Sequence, residues 1–210
     1  MNESDIRDAM VIHGKSLFNR GYTAGGSGNI SARVSDGCLL TPTNSCLGRL
    51  TASRIAKIDH LGNHIDGDPP SKEAVLHAAV YRARPETKAI VHLHSPYAVA
   101  VSCLEGLDPN DVLPPLTPYF VMRIGRLPMI PYFPPGDIGL ADAVANACRT
   151  HRAVLMAHHG TVATGKSIDD AVYAAEELEE TARLFFLLRD HRHRALDKNQ
   201  VAELEKRFPG

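Results

Sequence analysis

The chain has 210 residues, 44% of them hydrophobic, and 23 Lys and Arg against 24 Asp and Glu give a formal net charge of −1. That balance argues against nucleic acid or an anionic membrane surface as the partner, and no apolar run is long enough to span a bilayer. The four cysteines, Cys38, Cys46, Cys103 and Cys148, lack C-x-x-C spacing and disulfide-scaffold density, and the first residues show no basic segment leading into an apolar one, so a cytoplasmic location is expected.

A helix is predicted from Ser4, as N-cap, to Arg20, with Ile6, Met10, Ile12, Leu17 and Phe18 as its apolar positions and Gly21 placed to end it. The glycine-rich stretch Gly25–Gly28 follows, then short strands at Ile30–Val34 and Cys38–Thr41. Pro69-Pro70-Ser71 introduces a second helix over Lys72–Arg82, which ends before Pro85. Lys88-Ala89-Ile90-Val91 continues into His92-Leu93-His94 as a strand, stopped by Ser95-Pro96, and Ser95 is the expected cap of a short helix with Pro96 in its first turn. The proline-rich stretch from Asp108 to Asp137 reads as strands and loops, with a strand at Tyr119–Met122 and a turn region at Pro131–Pro135.

A helix over Ile138–Arg149 and a buried strand at Ala153–Met156 come next. Ser167 and Asp170 form an S-x-x-D capping pattern, and Ala171, Ala175, Leu178, Ala182, Phe185 and Phe186 trace one face of a helix down to Arg189. The tail over residues 190–210 is charged, with a short helix at Val201–Arg207. The expectation is one α/β domain over residues 1–210.

Chemistry concentrates in a few places. Side chains alternate along a strand, so His92 and His94 leave the same face with attachment points about 7 Å apart. Two neutral imidazoles at that spacing suit zinc or a neighbouring transition metal. Ala157-His158-His159-Gly160 follows another apolar strand, and either histidine could supply a third imidazole. Glu73, in the first turn of the second predicted helix, could serve as a fourth ligand or as a general base. Gly25-Gly26-Ser27-Gly28-Asn29, Thr41-Pro42-Thr43-Asn44-Ser45 and Ser71-Lys72 gather amides, hydroxyls and a cation of the kind that hold a phosphate. His13, His60, His64, His77, His151, His191 and His193 have no such context and are read as solvent-facing or capping residues.

In this order, Gly28-Asn29, Thr41-Pro42-Thr43, Pro70-Ser71-Lys72-Glu73, His92-Leu93-His94-Ser95 and His159-Gly160 resemble the class II aldolase/adducin superfamily. The resemblance implies a three-layer α/β fold with a central, mainly antiparallel sheet flanked by helices. It also implies a homotetramer with active sites between subunits. By position, His92, His94 and His159 would be the ligands of one divalent ion per subunit, zinc first and manganese or cobalt as alternatives. Glu73 would be the acid/base that also binds the metal, and Gly28, Asn29, Thr43, Asn44, Ser71 and Lys72 would surround the substrate phosphate. The family's Asn-His-Gly is here His158-His159-Gly160, which makes His158 a competitor for the third ligand position.

Within the superfamily, Thr43–Leu50, Leu113–Tyr119 and Ala174–Thr181 look closest to the 3-oxo-tetronate 4-phosphate decarboxylases, and Lys72 replaces a serine common in the sugar-phosphate aldolases. The implied activity is decarboxylation of a small phosphorylated sugar acid to dihydroxyacetone phosphate and CO2 through a metal-stabilised enediolate. A fuculose-phosphate-type aldolase and a pentulose-phosphate 4-epimerase are the alternatives. The last tyrosine is Tyr173, so the tail lacks the tyrosine that aldolases of this family use for proton transfer. A non-catalytic adducin-like interaction module would need neither the histidines nor Glu73.

Overall fold

Helix α1 (Glu3–Asn19) begins before the predicted cap, because Asn2 accepts from the Asp5 amide while the Asp5 carboxylate accepts from the Asn2 amide. It ends at Gly21, whose φ of +76° lets the Gly21 and Tyr22 amides fold back onto the Phe18 and Leu17 carbonyls. This computed structural model describes residues 2–134 and 136–208. Pro135 of the predicted turn region lies outside the described residues.

Among the described residues eight strands follow: β1 (Asn29–Val34), β2 (Gly37–Leu40), β3 (Ala56–Ile58), β4 (His64–Asp66), β5 (Ala89–Leu93), β6 (Met129–Ile130), β7 (Ala153–Met156) and β8 (Gly160–Gly165). They form one sheet in the order β4-β3-β2-β1-β5-β8-β7-β6, antiparallel throughout except for the parallel β6–β7 pair. The other helices are α2 (Ala74–Ala83), α3 (Pro96–Ser102), α4 (Pro118–Arg123), α5 (Ile138–Cys148), α6 (Ile168–Leu188) and α7 (Lys198–Arg207).

Strand alternation divides the core between the two faces of the sheet. Ala89, Val91 and Leu93 of β5 join Met10 and Leu17 of α1, Val101 of α3, Phe120 of α4 and Leu178 of α6 on one side. Ile90 joins Leu76, Val80 and Tyr81 of α2 and Leu140 and Val144 of α5 on the other. The result is helices on both faces of a mainly antiparallel sheet, as the resemblance implies. Among the described residues no helix is long and apolar enough to cross a membrane.

Three expectations are corrected. Tyr119–Met122 is helical, inside α4, rather than a strand. Pro118 occupies the first helical turn and the Thr117 hydroxyl accepts from the Phe120 amide, so start signals outweigh the strand preference of a short apolar run. The strand in this stretch is instead β6, which pairs parallel to β7 at the sheet edge. Strand β8, bounded by Gly160 and Gly165, was not expected; it forms a hairpin with β7, but its pairing with β5 is long-range and leaves no local signal.

The third correction concerns α3. Ser95 stands at its N-cap position but makes no capping bond. The carboxylate of Glu179, 2% exposed on α6, accepts from the Tyr97 amide at 2.9 Å and the Ala98 amide at 2.8 Å. Glu179→Ala would leave both N–H groups without a partner, and hydrogen bonds to a charged group each contribute about 1.5–3 kcal/mol. A loss of at least that size in urea-unfolding free energy is expected, and an unchanged midpoint would refute the cap.

Candidate metal centre and active site

The site forms where β5 ends against the β7–β8 turn. His92 is the fourth residue of β5, and His94 lies one residue past the strand. The pairing Leu93–Thr161 holds the β7–β8 turn beside them. Gly160 is required there, since a Cβ at that position would stand 2.2 Å from the Leu93 carbonyl oxygen. His158 takes φ +56°, in the left-handed region, and is exposed. Its neighbour His159 turns inward. The chain direction at one residue thus separates the two competing histidines.

The imidazoles of His92, His94 and His159 pack with ring centroids 4.7 to 5.1 Å apart, and their ligand nitrogens all lie within 4.8 Å of one another. His92 Nδ1 lies 2.8 Å from the Thr161 carbonyl, which only accepts, so Nδ1 carries the hydrogen, and in the neutral ring Nε2 keeps its lone pair. That lone pair is 2.8 Å from His94 Nε2 and 3.3 Å from Glu73 Oε2, while Glu73 Oε1 is 3.5 Å from His159 Nε2. Three converging nitrogens with a carboxylate alongside form a donor set that fits a divalent transition ion. Burial, then the neighbouring imidazoles, push His94 down to about 4. Burial, then His92, lower His159. Both rings are therefore neutral near pH 7, the form in which an imidazole can bind a metal.

Glu73 occupies the N-cap position of α2 rather than its first turn, and its side chain makes no capping bond. The carboxylate turns instead toward the histidines and accepts from Asn29 Nδ2 at 2.7 Å. Burial raises its pKa, but His92, the Asn29 hydrogen bond, His77 and His159 together outweigh this and hold it at about 2.

The second group of predicted residues arrives from three loops. A bridge between Pro42 and Pro70 joins two of them, with the Ser71 amide donating to the Thr41 carbonyl and the Thr43 amide to the Pro69 carbonyl. Asn44 takes φ +53°, a conformation that asparagine tolerates better than most residues. Gly28, at φ +77°, lies so close to β5 that a Cβ would sit 2.9 Å from the His92 carbonyl oxygen. Gly28, Asn29, Thr43, Asn44, Ser71, Lys72 and Glu73 line one cavity of about 460 Å³ together with His94 and His159. His92 lies behind it at 1% exposure.

Tyr132, Phe133, Gly136 and His158 also line this cavity. Sequence reasoning did not single out the first three, whose proline-rich surroundings carry no period. His77 requires correction. It is fully buried rather than solvent-facing or capping, with Nε2 2.5 Å from Asn29 Oδ1 and Nδ1 2.6 Å from Ser31 Oγ. Burial depresses its pKa to about 3. Its place on α2 facing β1 was not legible from an isolated histidine in a helix.

A family model described as Class II Aldolase and Adducin N-terminal domain matches residues 8–186. The chain belongs to that family. This class II aldolase-family chain is 50% identical to a 3-oxo-tetronate 4-phosphate decarboxylase of Haemophilus influenzae over 208 residues, 99% of each chain. It is 36% identical to an L-fuculose phosphate aldolase of Escherichia coli over 167 residues, covering 79% of this chain and 75% of the relative. The crystal structure of YgbL from Klebsiella pneumoniae matches with TM-score 0.95 at 49% identity, over 97% of this chain and 99% of that one.

The inward and outward histidines make opposite predictions. His159→Ala is expected to lower bound metal by at least the 10–100-fold in affinity typical of losing even an outer partner, while His158→Ala leaves metal content unchanged. Metal analysis of the two purified variants decides it, and the reverse ranking would move the ligand by one residue.

Proposed function

We propose that this chain is a metal-dependent carboxy-lyase that converts 3-oxo-tetronate 4-phosphate to dihydroxyacetone phosphate and CO2. One observation carries the reading: a three-histidine, one-carboxylate cluster opens into the same cavity as Thr43, Asn44, Ser71 and Lys72. A chain with 50% identity to a decarboxylase of that name supports it.

His92, His94 and His159 would hold a divalent ion, which would supply Lewis-acid polarisation of the substrate's ketone. The substrate is a β-keto acid, so breaking its carboxyl C–C bond releases an electron pair toward the ketone oxygen. The carbon that loses CO2 must then receive a proton, and Glu73 is the group that delivers it. Free Glu73 is ionised, with its pKa held at about 2. Entry of a phosphate and a carboxylate beside it favours the protonated form, which lets Glu73 take up the proton it later gives. Gly28, Asn29, Thr43, Asn44 and Ser71 bind the phosphate through amides and hydroxyls, and the Lys72 ammonium pairs with a substrate anion.

The same reading makes residues 1–210 one domain, the ion zinc, with manganese or cobalt as substitutes, and the protein a cytoplasmic homotetramer with active sites between subunits. The test is a product assay of metal-loaded protein with 3-oxo-tetronate 4-phosphate. Equimolar CO2 and dihydroxyacetone phosphate are expected. Cleavage of L-fuculose 1-phosphate without decarboxylation of the tetronate would replace this reading with an aldolase.

A further inference from the structure

Behind Glu73, a line of buried side chains runs through Asn29 to His77, Ser31 and Tyr81, three core residues that the proposed reaction does not use. The Tyr81 hydroxyl lies 2.8 Å from Ser31 Oγ, and Ser31 Oγ 2.6 Å from His77 Nδ1. His77 Nε2 lies 2.5 Å from Asn29 Oδ1, and Asn29 Nδ2 2.7 Å from Glu73 Oε2 and 3.2 Å from Ser71 Oγ. Ser31 and His77 are fully buried, and Asn29 and Tyr81 nearly so.

Donor and acceptor chemistry gives this line one direction. An ionised Glu73 only accepts, so Asn29 turns its NH2 toward it and its carbonyl toward His77. That carbonyl also only accepts, so His77 Nε2 carries the hydrogen. The ring is buried with no carboxylate in hydrogen-bond contact, and a charge there would be costly. Nδ1 is therefore bare and accepts from the Ser31 hydroxyl, whose oxygen then accepts from Tyr81. Reversing any single link would set donor against donor or acceptor against acceptor in a dry site, which is the costly case.

We propose that His77 is a positioning residue: as its Nε2–H tautomer, set by Ser31 and Tyr81, it locks the Asn29 amide so that Asn29 holds the Glu73 carboxylate beside the histidine cluster. Its kinetic consequence rests on the proposed role of Glu73; the tautomer itself does not. The strand and helix that carry the line are the ones that build the site. Asn29 and Ser31 alternate onto the same face of β1, and His77 and Tyr81 stand one turn apart on α2.

Two near-isosteric variants separate positioning from packing. The amide of His77→Gln reaches the Nε2 position and keeps a donor for Asn29, whereas that of His77→Asn reaches only the Nδ1 position beside Ser31. His77→Asn is expected to lower kcat about 10–100-fold, the scale of an outer-shell loss, with KM unchanged. His77→Gln should recover most of that loss. Equal kcat losses in both variants, or none in His77→Asn, would overturn the positioning role. Long-range 15N–1H spectra of the wild-type His77 ring provide a readout that needs neither substrate nor variant. Protonated Nε2 with bare Nδ1 is expected; the opposite tautomer or a charged ring would overturn the proposal, even if the variants fail to fold. Absence of wild-type turnover would refute the assigned reaction and leave the tautomer result to decide the hydrogen-bond line.

Discussion

His92→Ala is expected to strip the bound divalent ion and to lower turnover by about 10³-fold or more. The figure follows from the several kcal/mol of charge stabilisation that a Lewis acid supplies, at about 1.4 kcal/mol per decade of rate. His92 is the best-determined of the three nitrogen donors. Its Nδ1–H is fixed on the Thr161 carbonyl, its ring is 1% exposed, and its Nε2 faces both His94 and Glu73. An ion that binds only the folded protein also stabilises it, by about 4 kcal/mol when free ion exceeds its Kd a thousandfold. Chelation should therefore lower the melting temperature of the wild type and leave that of His92→Ala unmoved. Metal analysis, kcat and melting with and without chelator test this together. Stoichiometric metal and near-normal turnover in the variant would remove His92 from the centre.

Glu73→Gln is expected to keep the fold and most of the metal while lowering kcat about 10²–10⁴-fold, the range for a positioned proton-transfer group. The substitution is isosteric. Its oxygen can still accept from Asn29 Nδ2, as the carboxylate does at 2.7 Å, but it cannot hold a proton. Unchanged kcat would exclude Glu73 from the proton transfer. The same variant carries a stability signature. Because the Glu73 pKa is depressed from 4.5 to about 2 in the metal-free fold, its ionised form contributes stability that is present above pH 4.5 and lost as pH falls toward 2. The acid-unfolding slope of the metal-free protein between those values should be shallower in Glu73→Gln, and calorimetry across that window reads it.

Much of the site was legible because its signals are local. Strand alternation put His92 and His94 on one side, and the positions of Asn29, Ser71 and Lys72 follow from motifs a few residues long. The resemblance carried by these motifs anticipated the sheet architecture, and the family match over residues 8–186 agrees with it. The S-x-x-D pattern at Ser167 also opened its helix as expected, with the Asp170 amide donating to Ser167 Oγ.

By itself, then, the sequence determined the inventory of chemistry: which residue types could hold an ion, which could hold a phosphate, and which segments could be strands or helices. Tertiary structure decided the choices that depend on distant partners. His158 and His159 differ in orientation because the β7–β8 turn takes φ +56° at His158 and packs Gly160 against Leu93. Glu179, not Ser95, caps α3 from 81 and 82 residues away. His77 is indistinguishable from a surface histidine until α2 lies on β1 and presents it to Asn29 and Ser31. Caps and periodicity act over a few residues and are written in the chain, whereas hydrogen-bond direction in a dry interior exists only once distant groups exclude water around one another.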